Sequence, residues 1–557
     1  MVKVSLGFRA PLGMLMILSI AAFLTRLFPL SISQYPFNND ALTECGMASE
    51  ILDSGHLRFS SEAHWSTTHS VAIPILNVML SFVSSAVGTT PFLAGQTLGA
   101  TVAISTVGVI FLLGTNFSGD VRGGVAAAFA AIMFGSFVFT TGSIWKVMLG
   151  INLLAFAVFF YTRRSSLPFR VLTLVVLMVI PFVHHLVSIV AFLLFANLLA
   201  WSWLFGILKG TVTRRHLYDT LMIVIPGILA VSYYSFVEFD RYVQFFSPLR
   251  TIAMVAGFSA LSVVGVTVLS LKNHLRLSLA PVVGLIISAV AIMDYLGLVF
   301  PYEASASQSY VALGVASGVV VAVAWYGSEV VIESGSMYRA ILVGLLIAPV
   351  AVIGFGMLQG FSSQSHQILY RSFDLLDLFL FLGLGAGIAH LSRRHKKLYP
   401  IIGCALVVSL AVSFPFGYES ETLLGVRHDT QAYEVDAVKW LEHRDSPVII
   451  MTDERLSYIS ESTSSCKADP ALPQLIAVPN GFPNYRWYYT LERSWTTLGV
   501  NDYPNGRFVL AESTLQLALE SSNVLYLGGP LEDQIIVFLS SDIGGATMLG
   551  NSSSRVT

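Results

Sequence analysis

The segment between the first two long apolar runs concentrates groups that could perform acid-base chemistry. Asp40 stands in the stretch PFNNDALTEC, Glu44 follows four residues later, and His64 lies in the same segment. A carboxylate near a membrane surface can act as a general base toward a substrate whose apolar part stays in the bilayer. Asp40 is therefore the first candidate for catalysis, and Glu44 and His64 are accessory candidates.

The same residues also have a purely structural interpretation. Asn38, Asn39 or Asp40 can cap a helix that begins near Ala41, because Asn and Asp accept hydrogen bonds from the free amides of a first helical turn. Glu44 then falls close to the capping-box position. The sequence leaves both interpretations open.

The elements that must position these groups are predicted to be membrane helices. The 557-residue chain is 55% hydrophobic and 11% charged, with a mean hydropathy of +0.72, which is too apolar for a soluble fold. A net charge of −2 and the lack of a basic, aromatic-rich stretch argue against nucleic acid as a partner. Cys45, Cys404 and Cys466 lie far apart and match no metal-ligand spacing.

Apolar runs of roughly 20 residues predict about fourteen candidate spans. Loops rich in Lys and Arg favour the cytoplasmic side. The number of candidate spans between the basic loops places all of these loops on the same side of the membrane. These loops are residues 162–170, 209–216, 271–276 and 392–397. Placing them and the N-terminus in the cytoplasm, and the C-terminus outside, requires an odd number of crossings, so one candidate must not cross.

The weakest candidate is the run at 70–88, which contains Pro74 and Asn77 and has no basic flank. We expect it to form a surface or re-entrant helix, which leaves about 13 transmembrane helices. The alternative is that this run crosses and another weak run, such as the short one at 147–161, does not.

These patterns predict an α-helical polytopic membrane protein with a C-terminal soluble α/β domain. Residues 1–416 form the transmembrane domain, which includes a large first external loop at 33–91. Residues 417–557 form the external domain, with an amphipathic helix, a buried strand PVIIMT, another helix, and strands at RFVLAE, NVLYLGG and QIIVFLSS. The expected location is the plasma membrane, with a cytoplasmic N-terminus.

One apolar span, an external Asp followed by the helix DALTECGMASEILDSG, a His-containing stretch and a non-crossing helix together resemble the GT-C-type glycosyltransferases. This superfamily includes oligosaccharyltransferase catalytic subunits and protein mannosyltransferases. The resemblance implies a GT-C-like fold, membrane lipids as surroundings, and transfer of a sugar from a polyprenyl-phosphate lipid to an external glycan, lipid or protein. It maps the family's loop aspartate, a catalytic base or metal ligand, onto Asp40.

The family has no fixed motif for the lipid phosphate, so candidates come from the chemistry of this chain. The candidates for binding the phosphate are basic side chains at predicted external helix ends: Arg371, His184, His185, Lys146 and Arg241. Arg makes bidentate contacts to phosphate, Lys supplies a point charge and His titrates near neutrality. Each also has a structural alternative, such as interfacial snorkelling or pairing between Arg371 and Asp374.

The chain departs from the oligosaccharyltransferase pattern in two places. The aromatic stretch WYYTLERSW lacks the acidic centre of a WWDYG-type motif, and the loop at 142–146 carries no carboxylate. Both departures argue against asparagine-linked transfer and against a tight metal site. Glu44 can join Asp40 around a divalent cation, since positions i and i+4 share a helix face, but hard cations usually need more oxygens. No metal ligands are assigned.

The preferred function is an inverting transfer in which Asp40 deprotonates an acceptor hydroxyl. The rivals are a transporter or lipid flippase and a non-catalytic membrane scaffold. Transporters tend to show internal repeats and ionisable residues at the bilayer midplane, whereas Arg26 and Asp294 lie close to predicted helix ends. A lipid-lined cavity beside Asp40 favours the enzyme, and a central pathway between symmetric halves favours transport.

Overall fold

The fold is taken from a computed structural model. The structure describes residues 9–32, 35–57, 73–208, 210–236, 279–296, 308–333, 337–358, 363–418, 429–444, 449–464, 466–473, 488–497, 500–502, 506–520 and 522–540. Arg241, His64 and the apolar run at 250–271 lie outside these residues.

Helices make up nearly all of the described chain before residue 418. The first are α1 (Arg9–Leu27), α2 (Pro29–Ile32), α3 (Asn39–Ser54), α4 (Ile75–Val87), α5 (Pro91–Ser118), α6 (Val121–Met133), α7 (Gly135–Gly142), α8 (Lys146–Thr162) and α9 (Leu167–Val179). They are followed by α10 (His185–Leu208), α11 (Arg214–Phe236), α12 (Leu279–Tyr295), α13 (Gln308–Glu333), α14 (Met337–Leu358), α15 (Ser363–Arg394) and α16 (Tyr399–Ser413). Short 3₁₀ turns at Ile180–Phe182 and Pro415–Gly417 lie between or beyond them.

The described residues contain eight helices that are long and apolar enough to cross a membrane, or nine if the bent pair α6 and α7 forms one span. The chain is therefore a multi-pass membrane protein, but the predicted count of 13 is not confirmed. Helix α4 has 13 residues, about 20 Å at 1.5 Å per residue. Because the hydrocarbon core is about 30 Å thick, α4 is too short to cross it, as the non-crossing interpretation requires.

Arg26 supports the break between α6 and α7, which meet at 68°. Its fully buried guanidinium donates to the carbonyls of Ala131 and Ile132, at 2.7 and 3.0 Å, and to Thr141 Oγ1 at 3.0 Å. The last carbonyls of a helix lack partners within the helix and attract cations. Arg26, a charged residue inside an apolar run, thus donates hydrogen bonds to carbonyl groups at the end of α6.

Helix α15, which carries Arg371, packs closely against α13 through glycines. A Cβ atom on Gly327 would lie 1.9 Å from the carbonyl oxygen of Gly383, which no larger residue could tolerate. Small residues at such crossings let helix backbones approach within a membrane, where van der Waals packing drives association. This crossing fixes the position of α15 relative to its neighbours.

A small sheet and its helices form the C-terminal α/β unit. Its elements are α17 (Ala432–Arg444), β1 (Ile449–Met451), α18 (Glu454–Thr463), β2 (Lys467–Asp469), β3 (Tyr488–Glu492), β4 (Val500–Asp502), β5 (Gly506–Phe508), α19 (Glu512–Glu520), β6 (Ser522–Gly528) and β7 (Ile535–Ser540). The main sheet has the order β2-β1-β3-β7-β6, with β1 parallel to β2 and β3, and β7 antiparallel to β3 and β6. Strands β4 and β5 form a separate antiparallel pair.

The predicted helix–strand–helix order around PVIIMT is confirmed by α17, β1 and α18, and the strands at NVLYLGG and QIIVFLSS by β6 and β7. The prediction at RFVLAE was partly wrong, because β5 ends at Phe508 and α19 begins at Glu512. The amphipathic pattern of STLQLALE, with Leu515 fully buried, continues that helix rather than the strand.

The C-terminal α/β unit packs directly on α3. Leu42, only 4% exposed, belongs to the same apolar core as the sheet residues Tyr489 and Phe538. At Gly46 the two helices approach closely, since a Cβ atom there would lie 3.5 Å from the Cβ atom of Ser462 in α18. This contact joins the C-terminal unit to the helix that carries Asp40.

Candidate functional site

Asn38, rather than Asp40, caps helix α3. Its backbone is extended (φ −121°, ψ 140°), and its side-chain oxygen accepts a hydrogen bond from the Asp40 amide at 3.0 Å. The helix begins at Asn39, so Glu44 does not occupy the capping-box position, and that expectation was wrong. Capping by Asn38 leaves the Asp40 carboxylate available for other contacts, near the positive end of the helix dipole.

The Asp40 carboxylate meets two groups that come from other helices. The indole nitrogen of Trp145, directly before α8, donates a hydrogen bond to Asp40 Oδ2. The Arg371 guanidinium, on α15, lies 3.8 Å from the same oxygen. Both contacts use Oδ2, and the Asp40 side chain remains 35% exposed. Among the residues that the structure describes, Oδ1 has no hydrogen-bond or ion-pair partner.

Aromatic packing holds Trp145 in place. The indole is 5% exposed and packs edge-on against Phe139, with 5.5 Å between ring centroids. The Arg371 guanidinium lies 5.8 Å from the same ring, within the range of a cation–π contact. Trp145 therefore orients both the carboxylate and the guanidinium.

Glu44 and Lys146 form a buried ion pair beside this site. Glu44 Oε1 lies 2.9 Å from Lys146 Nζ, and the two side chains are 6% and 7% exposed. Asn77 of α4 donates to Glu44 Oε2 at 2.5 Å and to its carbonyl oxygen at 3.2 Å. Burial raises the pKa of the Glu44 carboxyl, and Lys146 and Asn77 oppose this shift. A phosphate would have to compete with Glu44 for Lys146.

The two histidines stack on each other at the start of α10. Their ring centroids are 4.9 Å apart and the rings are nearly parallel, at 12°. His184 Nδ1 accepts a hydrogen bond from the Val187 amide at 3.3 Å, which is the contact of a helix cap. His185 is within electrostatic range of both Arg371 and Lys146.

The first residue of α18 brings a second carboxylate to Asp40. Asp453 caps this helix through the Leu456 amide at 2.9 Å, and Glu454 Oε1 accepts a hydrogen bond from Tyr458 at 3.3 Å. Burial raises the pKa of Glu454 to about 7, and the negative charge of Asp40 adds to this effect while Arg371 opposes it. Asp40, Arg371 and Glu454 thus form one electrostatic cluster.

Two further carboxylates lie on α15 within two turns of Arg371. Asp374 is 7% exposed and accepts a hydrogen bond from Ser136 at 2.9 Å, whereas Asp377 is 2% exposed. Asp377 Oδ2 has no hydrogen-bond partner in the described part of the chain. Arg371 lies 3.8 Å from Asp40 and within electrostatic range of Asp374, so the alternative of an Arg–Asp pair stays open.

The site combines predicted residues with residues that sequence reasoning missed. Asp40, Arg371, Lys146 and His185 come together, with Glu44 as the partner of Lys146. Trp145, Glu454 and Tyr458 were not predicted. Weak signals existed, since Trp145 directly precedes Lys146 and Glu454 directly follows a capping Asp.

The described residues do not fit a divalent metal at Asp40. Glu44, the nearest candidate ligand on the same helix, is bound by Lys146 and Asn77. No group of three His, Cys, Asp or Glu side chains in the described ranges is arranged to hold a metal ion. Hard cations take six or more oxygen ligands, of which water and substrate phosphate can supply several, so the described residues alone assign no metal ligands at Asp40.

Comparison with solved structures identifies the fold. An oligosaccharyltransferase from Archaeoglobus fulgidus in the apo form aligns with a TM-score of 0.53 at 13% identity, over 96% of this chain and 75% of its own. The same organism's oligosaccharyltransferase AglB, in complex with an inhibitory peptide and a dolichol-phosphate, aligns with a TM-score of 0.51 at 13% identity, over 94% and 74%. The chain has a GT-C fold. The resemblance predicted from the sequence is confirmed at the level of the fold.

A further structural neighbour of this GT-C fold is the mycobacterial arabinofuranosyltransferase AftD, which aligns with a TM-score of 0.48 at 13% identity, over 94% of this chain and 40% of its own. No protein-family model matches the chain, and no curated protein matches it at significant similarity.

Proposed function

We propose that the protein is a membrane glycosyltransferase that moves a sugar from a polyprenyl-phosphate donor to an acceptor hydroxyl, with Asp40 as the general base. The GT-C fold supports this class, because the neighbouring AglB was crystallised with a dolichol-phosphate and a peptide. The observation that carries the proposal is the arrangement at Asp40. One carboxylate oxygen is held by Trp145 and lies near Arg371, and the other has no hydrogen-bond or ion-pair partner among the described residues.

The chemistry follows from this arrangement. The acceptor oxygen forms a bond to the anomeric carbon as its proton passes to Asp40 Oδ1. The bond between the anomeric carbon and the phosphate oxygen breaks, and the lipid phosphate leaves with the electron pair. General bases contribute about 10²- to 10⁴-fold in rate. Arg371 would stabilise the charge of the departing phosphate, as Arg does through charge-assisted hydrogen bonds.

The other predicted cations take supporting roles in this proposal. His185 lies within electrostatic range of Arg371 and is proposed to donate a ring N–H to a phosphate there, and Lys146 could contact the phosphate only by leaving Glu44. His184 is assigned to the phosphate less directly, because its Nδ1 caps α10. The roles proposed for Arg241 and His64 stay predictions.

The proposal includes an orientation in the membrane. The loop at 33–91 and the domain at 417–557 lie on the external face of the plasma membrane, and the N-terminus lies in the cytoplasm. The acceptor is an external glycan, lipid or protein. The packing of the C-terminal α/β unit on α3 supports this arrangement, since it requires both to be on one side.

The test is sugar transfer in proteoliposomes from a panel of radiolabelled polyprenyl-phosphate sugars. Asp40→Asn removes the base but keeps the shape of the side chain, and we expect it to slow transfer at least 100-fold. Asp53→Asn is the matched control, because it makes the same change at an exposed position of the same helix, and it should leave transfer unchanged. Equal transfer by Asp40→Asn and wild type would refute the assignment of the base.

A further inference from the structure

Two of the basic loops predicted from the sequence meet in the fold. Helix α8 ends at Thr162, and Arg164 Nε, shortly after it, lies 3.2 Å from Asp219 Oδ2 on α11. The two side chains are 10% and 2% exposed, so they form a buried ion pair. Arg170 Nε, on α9, donates to the carbonyl oxygen of Arg164 at 2.6 Å. These contacts fix the loop at 162–170 against the beginning of α11.

Aromatic rings hold two further guanidinium groups in this region. The Arg163 guanidinium lies 4.8 Å from the ring centroid of Phe159 and 5.8 Å from that of Phe169. The Arg170 guanidinium lies 5.6 Å from the ring centroid of Tyr218 on α11. Cation–π contacts form within about 6 Å. They restrict the motion of the two side chains and leave guanidinium N–H groups able to donate to an anion.

A third guanidinium comes from α11 itself. Arg214 is exposed and is the first residue of this helix, about one turn before Tyr218. Among the residues that the structure describes, no carboxylate pairs with Arg163, Arg170 or Arg214. We call these three residues the arginine cluster. Since Arg is always protonated in proteins, the arginine cluster attracts anions.

The arginine cluster lies far from the Asp40 site. Trp145, which donates to Asp40, directly precedes α8, and Arg163 directly follows this helix. Helix α8 has 17 residues, which corresponds to about 25 Å at 1.5 Å per residue. A phosphate at the arginine cluster is therefore not the phosphate proposed to bind at Arg371.

The helices that carry the arginine cluster can also contact an apolar ligand. Arg170 meets Tyr218 near the beginnings of α9 and α11. Just beyond the end of α9, the carbonyl oxygen of Pro181 accepts a hydrogen bond from Tyr234 Oη at 3.0 Å, so the two helices run parallel. Both expose apolar side chains along their length. Those next to the arginine cluster are 41–55% exposed: Val171, Leu172, Val175, Leu217, Leu221 and Val224.

We infer that the arginine cluster binds the headgroup of an anionic phospholipid whose acyl chains lie along α9 and α11. Arg recognises phosphate through charge-assisted, often bidentate hydrogen bonds. Basic pockets between membrane helices bind anionic lipid headgroups, and the exposed apolar side chains match the tails. Because the rings already restrict Arg163 and Arg170, less conformational entropy is lost when the lipid binds. The inference does not depend on the proposed sugar transfer.

The test measures binding of phosphatidylglycerol to the full-length protein in detergent micelles by native mass spectrometry, with phosphatidylcholine as the neutral reference. An arginine near a membrane surface contributes about fivefold to the affinity for an anionic lipid. The triple variant Arg163→Gln, Arg170→Gln, Arg214→Gln should therefore bind phosphatidylglycerol roughly 100-fold more weakly than wild type. Its affinity for phosphatidylcholine should not change. Equal affinity of wild type for the two lipids would overturn the inference.

The matched control is the triple variant Arg394→Gln, Lys396→Gln, Lys397→Gln. It removes the same charge from another exposed basic segment, and it should keep the wild-type affinity for phosphatidylglycerol. If the control loses as much affinity as the arginine cluster variant, the lipid responds to general positive charge, and the assigned site is wrong. If the cluster variant does not fold, Arg163→Gln with Arg214→Gln keeps the hydrogen bond of Arg170 and should still lose about 25-fold.

Two further measurements distinguish the lipid from other anions and from the donor. Inorganic phosphate should not displace phosphatidylglycerol, because it lacks the acyl chains; displacement at equal concentration would show a free-phosphate site instead. Asp40→Asn should bind phosphatidylglycerol as wild type does, since Asp40 lies near the other end of α8. Loss of binding in Asp40→Asn would place the lipid at the Asp40 site and overturn the inference. Loss of sugar transfer alone would leave it intact.

Discussion

Removing Lys146 should destabilise the protein through Glu44. Lys146→Met removes the ammonium that lies 2.9 Å from Glu44 Oε1, while the side-chain amide of Asn77 still donates to Glu44. Breaking a buried ion pair on one side costs about 3–5 kcal/mol, because a charge is left buried without its partner. Since Asn77 still donates to Glu44, we expect a loss near the lower end, about 3 kcal/mol.

The double variant Glu44→Gln with Lys146→Met separates the contribution of the ion pair to stability from the contribution of its surroundings. Gln keeps an oxygen that can accept from Asn77, and no charge remains. Replacing both members of a buried pair is often close to neutral, so the double variant should recover to within about 1 kcal/mol of wild type. The coupling energy of the cycle should then be about 2 kcal/mol or more. The assay is the free energy of unfolding in detergent micelles.

The stability of Lys146→Met should also depend on pH, in a direction set by the pKa of Glu44. Burial raises the pKa of Glu44 above its usual 4.5, and loss of Lys146 removes a charge that opposes this shift. The folded state then binds more protons than the unfolded state, so the stability of Lys146→Met falls as pH rises above about 4.5 and levels off beyond the folded pKa. The double variant lacks this slope. A Lys146→Met protein as stable as wild type at pH 8 would refute the reasoning.

Two other substitutions test the positioning of Asp40. Trp145→Phe removes the indole donor, and because hydrogen bonds to charged groups contribute about 1.5–3 kcal/mol, sugar transfer should slow roughly 10- to 100-fold; an unchanged rate would show that Trp145 does not orient Asp40. Leu42→Ala leaves a cavity in the C-terminal core, which costs about 2–5 kcal/mol. Limited proteolysis should then cut the C-terminal unit sooner, and wild-type resistance would contradict its docking through Leu42.

Local patterns in the sequence were sufficient for most of the helices. An apolar run long enough to cross a bilayer must satisfy its backbone groups internally, so a helix is the expected structure, as in α5, α10 and α15. The run at 70–88 was expected not to cross because of its polar residues and missing basic flank, and the structure adds that α4 has only 13 residues. The number of spans was harder to predict. Helices such as α8 and α9 are as apolar as membrane spans but shorter.

The candidate site was predictable only in part. Asp40 follows an apolar span and precedes a helix, which local chemistry can recognise. Its partners come from distant parts of the chain, and Trp145 is 105 residues away. Hydrophobic periodicity indicates which face of a helix is buried but not which residue lies opposite it. The choice of Asn38 as the cap, which leaves Asp40 free, also depended on backbone geometry that three adjacent polar residues do not reveal.

The sequence by itself indicated a membrane protein, predicted most of the described helices and the α/β unit, and gave Asp40 as the candidate base, because these follow from composition and short-range pattern. The tertiary structure decided which charges act together. It paired Lys146 with Glu44 and assigned Arg371 and Trp145 to Asp40. It also brought Glu454 within electrostatic range of Asp40. Electrostatic interactions depend on distance through space, and only the packed helices set those distances.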